Sequence, residues 1–213
     1  MRDRIREGLA RKPTLLNAWL ALGAPLAGEI VGKAGFDLAT IDQQHGLGGE
    51  GELPTMMMAV RAGGLPVLVR VAANEDGRIG RALDLGAQGV ICPMVNNVGD
   101  ARRLASAVKY PPMGARSSGP IRASLTVEGD YGPGANEWTI AAAQIETAEA
   151  IDNLDAILST KGIDMVYVGP NDLTISLSNG TSREQKCFAH IIGFKVGIEG
   201  ENALDRRRRQ GRD

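Results

Sequence analysis

Reactive and metal-binding side chains are scarce in this chain. Its 213 residues include two cysteines, Cys92 and Cys187, and two histidines. Two thiols cannot form a disulfide framework or a four-cysteine zinc site, and that usage fits the reducing cytoplasm. Aromatic residues make up only 4%, so any core is aliphatic, and 28 glycines suit many tight connections. Neither sign of charge dominates. A net charge of −1 excludes a general attraction to nucleic acid or an anionic membrane. The basic end RRRRQGRD reads as a solvated tail rather than a binding patch. Long apolar runs are missing too. TLLNAWLALGAPLAG (14–28) follows a basic start, as in a secretory leader, but Asp3, Glu7 and Asn17 interrupt that pattern. The run is also shorter than the roughly 20 apolar residues a membrane span needs. We therefore expect a cytoplasmic protein without nucleic-acid or membrane partners.

One pattern recurs. A helical stretch ends in Gly, and a short β-rich apolar run follows and closes on polar residues. KAGFDLATID (33–42), LGAQGVICPMV (85–95) and KGIDMVYVGPND (161–172) are three cases. The Gly fits a helix C-cap, and the run after it fits a strand buried on both faces. LPVLVRV (65–71) and TIAAAQIE (139–146) read as strands of the same kind, and LLNAWLAL (15–22) as the first. Between them, 51–64, 74–87, 98–110 and 147–161 read as helices. Strands alternating with helices of this length predict a parallel α/β sheet. The strand ends at Asp42, Arg70 and Met94 are spaced 28 and 24 residues apart, and Glu146 and Asp172 are 26 apart. Each interval is one βα unit. The interval from Met94 to Glu146 is twice as long, and its second half reads as a long loop, a type that is usually functional. The series favours a (β/α)8 TIM-type barrel with about six βα units recognisable and the active site at the strand C-termini. A doubly wound open sheet is the alternative; no glycine fingerprint follows the first strand.

Side chains alternate along a strand. Leu38, Thr40 and Asp42 then share the inner face, as do Leu68 and Arg70, and Ala142, Gln144 and Glu146. Val166 and Val168, with Asp172 beyond the Gly-Pro, are expected to continue that face, and the Ala141–Ala143 run to leave space near the axis. Each polar residue also has a plain structural reading. Arg70 could cap its strand, Glu146 could favour a helix N-terminus, and Asp172 could be an N-cap. Together they converge at successive strand ends. Two carboxylates with an amide nearby form a hard oxygen site for Mg²⁺ or Mn²⁺. An Arg opposite would hold a carboxylate or a developing enolate oxygen. His45, in the glycine-rich QQHGLGG just past a strand end, could take a proton at neutral pH.

In AGFDLATIDQQHG, PVLVRV, ALDLGAQGVICPMVNN, KYPPMGARSSGP, QIETAEAIDNLDAIL and GIDMVYVGPNDLT, taken in order, the chain resembles the HpcH/HpaI aldolase family of metal-dependent pyruvate aldolases. The resemblance implies cleavage of 4-hydroxy-2-oxo acids to pyruvate and an aldehyde. It implies His45 as the general base, Arg70 as the enolate-stabilising group, and Asp84 as the acid that raises the basicity of the histidine. Glu146 and Asp172 would ligate a divalent metal, Mg²⁺ or Mn²⁺ with Co²⁺ as an alternative. Gln144 and the backbone at Asn171, beside Asp172, would bind the pyruvyl portion. A small-molecule 2-oxo acid, an aldehyde and further copies of the chain are the implied partners. The resemblance runs from about residue 15 to 176, and residues 1–176 read as a partial barrel that carries the active-site motifs. Residues 177–213 do not resemble the family and read as an atypical segment, either disordered or replaced. Two other readings stand beside the active aldolase: an inactive partial barrel acting as an oligomerisation module, and a lyase acting on acyl-CoA esters.

Overall fold

A computed structural model describes residues 4–127 and 130–180. Cys187, His190 and the reading of 177–213 as an atypical segment fall largely outside the described residues. Six strands form one sheet in chain order, each parallel to the next. They are β1 (Asn17–Leu20), β2 (Leu38–Asp42), β3 (Val67–Arg70), β4 (Gly89–Cys92), β5 (Ile140–Ile145) and β6 (Met165–Val168). The helices are α1 (Arg4–Arg11), α2 (Pro25–Val31), α3 (Leu53–Ala62), α4 (Asp76–Asp84), α5 (Val98–Val108), α6 (Ile121–Ser124), α7 (Tyr131–Trp138), α8 (Ala148–Asp152), α9 (Leu154–Leu158) and α10 (Pro170–Leu177). All six expected strands are present. Gly35, Gly86 and Gly162, which the repeat puts at helix ends, have φ of +86°, +96° and +93°, the left-handed conformation that stops a helix.

Because strand side chains alternate, the sheet has two apolar faces. Ala39, Ile41, Val67, Val69, Val90, Ala141, Ala143 and Val166 pack outward against the helices. Leu38, Leu68, Ile91, Ile140, Ala142 and Met165 pack inward. The sheet is curled. Trp19 on β1 and Tyr167 on β6, the first and last strands, stack across the inner face with ring centroids 5.1 Å apart. Two details differ from the sequence reading. Val166 faces outward, and Met165 and Tyr167 face the lumen, because β6 pairs with β5 in the register Ala142↔Met165 and Gln144↔Tyr167. Of the alanine run, only Ala142 faces the lumen.

The basic N-terminal stretch forms α1. Its Ile5, 1% exposed, joins the inner cluster with the first residues of β2, β5 and β6, so α1 closes the N-terminal mouth of the curled sheet. Arg6 holds it there through Asp164 at 2.5 Å. Asp164 also accepts from the buried Lys109, whose ammonium donates to the Asn136 and Thr139 carbonyls as well. That lysine is a satisfied structural cation at the opposite end from the strand C-termini.

The segment after α5 is not one long loop. It carries α6 and α7 and a small core of Tyr110, Ala123, Tyr131, Ala135 and Trp138. The helix expected over 147–161 is two short ones, α8 and α9. They break at Asn153, whose side-chain amide donates to the Asn96 carbonyl in the loop after β4.

Candidate active site

Asp42 ends β2 and Arg70 ends β3, and the register sets them directly opposite. Both point inward, so they meet. Arg70 Nε and Nη2 donate to the two Asp42 carboxylate oxygens at 2.9 and 2.5 Å, a bidentate fork. The Trp19 indole also donates to Asp42, at 3.2 Å, and the Arg70 guanidinium lies 4.9 Å over the Trp19 ring. Asp42 Oδ1 further accepts the backbone N–H groups of Gln44 and His45. The same carboxylate therefore holds Arg70 and starts the turn that carries His45. His45 is exposed, in the glycine-rich loop just past β2. Sequence reasoning placed Asp42 on the inner face but gave it no role.

Burial alone would raise the Asp42 carboxyl. The Arg70 guanidinium, the His45 amide, the Trp19 indole and the Gln44 amide overcome that and pull it from 3.8 to about 2. A folded value below the unfolded one means the pair stabilises the fold above the unfolded value. That contribution is lost as pH falls from about 4 toward 2, and amounts to about 2 kcal/mol. Asp42→Asn should flatten the acid limb of stability in this window, measured as urea midpoints between pH 5 and 2. An acid limb as steep as in the parent chain would contradict the pairing.

Glu146 follows β5 and is 1% exposed. Thr147, not Glu146, caps α8, accepting from the Ala150 N–H. Glu146 instead accepts from two donors inside the site. The Met94 N–H reaches Oε1 at 2.7 Å, and the Gln144 side-chain amide donates to Oε2. Met94 has φ +56°, a conformation uncommon outside glycine, and it is this turn after β4 that aims the N–H at the carboxylate. Among the described residues no cation pairs with Glu146. Beside it Gln144 Oε1 is buried and accepts no hydrogen bond. A buried carboxylate without a cation and, beside it, an amide oxygen that accepts no hydrogen bond are hard-oxygen donors of the kind a divalent cation takes.

Gly169 explains how α10 approaches so closely. A Cβ there would lie 2.7 Å from Glu146 Oε2, 2.9 Å from Glu146 Cβ and 3.1 Å from Gln144 Nε2. Gly169→Ala should push the carboxylate out of place. We expect Mn²⁺ affinity to fall about 10–100-fold, the scale of disturbing a ligand's support, with an unchanged far-UV circular dichroism spectrum. Parent-like affinity by calorimetry would show that the close approach is incidental.

Asp172 sits in the first turn of α10, exposed, with Gly169 rather than Asp172 at the N-cap. It lines a cavity of about 380 Å³ with His45, Arg70, Gln144 and Asn171, walled by Trp19 and Tyr167. Five residues singled out from the sequence thus share one cavity, and Glu146 lies against its Gly169 wall. A larger hollow, about 640 Å³, opens between α3 and α4. Its rim is neutralised internally, Arg78 pairing with Glu50 and Glu75, and no candidate residue lines it. We take the smaller cavity as the site because the chemistry converges there.

Asp84 is not brought to His45. It ends α4, which runs back toward the strand N-termini, and it pairs at 2.8 Å with Arg116. Arg116 is buried between the rings of Tyr110 and Tyr131. Trp19 and Tyr167 were missed as site residues. Their signal was present: each is an aromatic on an inward position near a strand's C-terminal end, in a chain with few aromatics. Cys92 is no nucleophile, since burial, with Asp100 and Glu146 nearby, pushes its thiol up to about 12. No lysine among the described residues lines the cavity.

Known proteins share this family and fold. The model of the HpcH/HpaI aldolase/citrate lyase family matches residues 16–192. A hydroxypyruvate/pyruvate aldolase of Rhizorhabdus wittichii is 42% identical over 195 residues, 86% of this chain and 78% of that protein. A 2-dehydro-3,6-dideoxy-6-sulfogluconate aldolase of Pseudomonas putida is 40% identical over 169 residues, 78% of this chain and 66% of that protein. The crystal structure of a HpcH/HpaI aldolase/citrate lyase family protein from Burkholderia cenocepacia superposes with a TM-score of 0.74 at 30% identity. That match covers 81% of this chain and 70% of the other.

Proposed function

The chain belongs to the HpcH/HpaI aldolase/citrate lyase family, and from that premise we propose a metal-dependent aldolase that cleaves 4-hydroxy-2-oxo acids into a 2-oxo acid and an aldehyde. The 2-oxo acid is pyruvate or, as the name of the Rhizorhabdus relative suggests, pyruvate with a hydroxyl at C3. The six βα units are read as part of a (β/α)8 barrel with its reactive mouth at the strand C-termini. The observation that carries the reading is the buried Glu146 carboxylate. It is held by two donors, balanced by no cation of the described residues, and set against the start of α10, which brings Asp172.

Glu146 and Asp172 would hold the metal, Mg²⁺ or Mn²⁺. Bound there, a divalent cation supplies Lewis-acid polarisation of the substrate's 2-oxo group. The chain's own residues do the rest. Gln144 and the first turn of α10 at Asn171 receive the pyruvyl end. His45 takes the proton of the C4 hydroxyl. The C3–C4 bond then breaks, its electron pair forming a π bond between C2 and C3 while the π pair of the 2-oxo group moves onto its oxygen, and the aldehyde leaves. Arg70 places positive charge where that oxygen becomes negative. C3 then takes a proton and the 2-oxo acid departs. Asp42 keeps Arg70 aligned and fixes the turn at His45. Asp84 takes no step within one chain in this reading. The enzyme is read as a cytoplasmic homo-oligomer; among the described residues no helix is long and apolar enough to cross a membrane.

The test is release of 2-oxo acid from a 4-hydroxy-2-oxo acid. The protein is stripped with chelator, assayed, and assayed again with Mg²⁺ or Mn²⁺. Cleavage that returns with metal supports the reading. Equal cleavage by stripped protein would remove the metal from it, and no cleavage by metal-loaded protein would remove the reaction.

A further inference from the structure

Substrate oxygens need donors, and the other donors of this cavity already have a partner in the chain or a role at the 2-oxo group. Arg70 Nε and Nη2 and the Trp19 indole are spent on Asp42. One N–H of the Gln144 amide is used on Glu146, and the other is left for the pyruvyl end. His45 is reserved as the base. Tyr167 differs. Its ring is held by the stack on Trp19, 24° from parallel, and its backbone by the register with Gln144. Its hydroxyl makes no hydrogen bond with a described residue, although the residue is partly buried and lines the cavity. Phenylalanine would stack equally well, so packing does not explain the hydroxyl. Burial pushes the Tyr167 phenol up; the Arg70 guanidinium draws it partly back, and the Asp42 and Glu146 carboxylates push it further up. The group therefore keeps its proton at neutral pH and remains a donor.

We infer that Tyr167 is a specificity-determining residue whose hydroxyl donates to a hydroxyl oxygen at C3 of the 2-oxo acid. The inference rests on the aldolase reading and names the group that reads this substituent. Tyr167 and Gln144 are register partners, and Gln144 is assigned to the pyruvyl end. The carbon next to the 2-oxo group is thus the natural reach of the phenol. A substrate without that hydroxyl leaves the phenol to water, so the discrimination is that of one neutral hydrogen bond, about tenfold at most.

The test compares hydroxypyruvate with pyruvate, each condensed with the same aldehyde by metal-loaded protein. The quantity read is the ratio of their kcat/KM values. In Tyr167→Phe, which keeps the stack, the hydroxypyruvate-to-pyruvate ratio should fall about 3–10-fold. A calorimetric arm measures binding of the two acids without aldehyde, and their affinity ratio should fall in parallel. Tyr167→Leu, which removes the ring as well, should lower the ratio no further. An unchanged ratio in Tyr167→Phe, or a ratio that falls only in Tyr167→Leu, would overturn the inference. A parent protein that condenses neither acid would defeat the aldolase reading instead, and the binding ratio would still decide the role of Tyr167.

Discussion

Glu146→Gln is expected to weaken Mn²⁺ binding at least about 100-fold, beyond the 10–100-fold cost of disturbing mere support residues. The substitution keeps the shape and most of the packing of a residue that is 1% exposed. The Met94 N–H still finds an oxygen. The charge is lost, and an amide N–H₂ now faces the Gln144 amide, so that pair must rotate. The fold should survive, because a hydrogen-bonded acceptor remains where the carboxylate was. Calorimetric titration of the variant with Mn²⁺ checks this, alongside its thermal midpoint. Parent-like affinity would remove Glu146 from the metal site and leave its burial without a purpose.

Arg70→Lys is expected to lower kcat at least about 100-fold, the scale of removing one donor to a developing oxyanion. Arg70 uses Nε and Nη2 together on Asp42, which leaves the far edge of a rigid planar group facing the cavity. Lysine is a point charge on a flexible stem. It can pair with Asp42 or reach the substrate, but it cannot hold the fork geometry while doing both. The ring contact with Trp19 is also lost or loosened. Since the donor matters most when charge develops, kcat should fall more than KM rises. A lysine variant with near-parent turnover would make Arg70 a strand cap paired with Asp42 and nothing more.

The architecture was legible because a parallel strand, buried on both faces, is a short aliphatic run. Here each run is set off by Gly before it and polar residues after it. The candidate site was legible for a related reason. In such a sheet, residues at strand C-termini are where polar groups escape the packed lumen, so Arg70, Glu146 and Gln144 stand out against Leu68 and Ala142. The missing parts required spatial neighbours. That Asp42 serves Arg70 follows from a register between residues 28 apart in the chain, which periodicity cannot supply. The inner face of β6 was misjudged by counting back from Asp172 through Gly169 and Pro170. The chain has already left the strand there, and alternation no longer applies. Trp19 and Tyr167 could each have been core residues, and only the curl of the sheet brings β1 and β6 face to face. Asp84 lies on a helix that runs opposite to the strands, so its end of α4 is remote from their C-termini.

The central claim is that these strand ends, with a divalent cation, stabilise a 2-oxo acid as its enolate. Exchange of the pyruvate methyl protons in D₂O tests it without knowledge of the aldehyde, because the enolate exchanges at C3. Followed by proton NMR, the methyl signal should fade with protein and Mg²⁺ or Mn²⁺, persist when a chelator is present, and fade far more slowly with Arg70→Lys. Exchange no faster than with the metal ion alone in buffer would contradict the account.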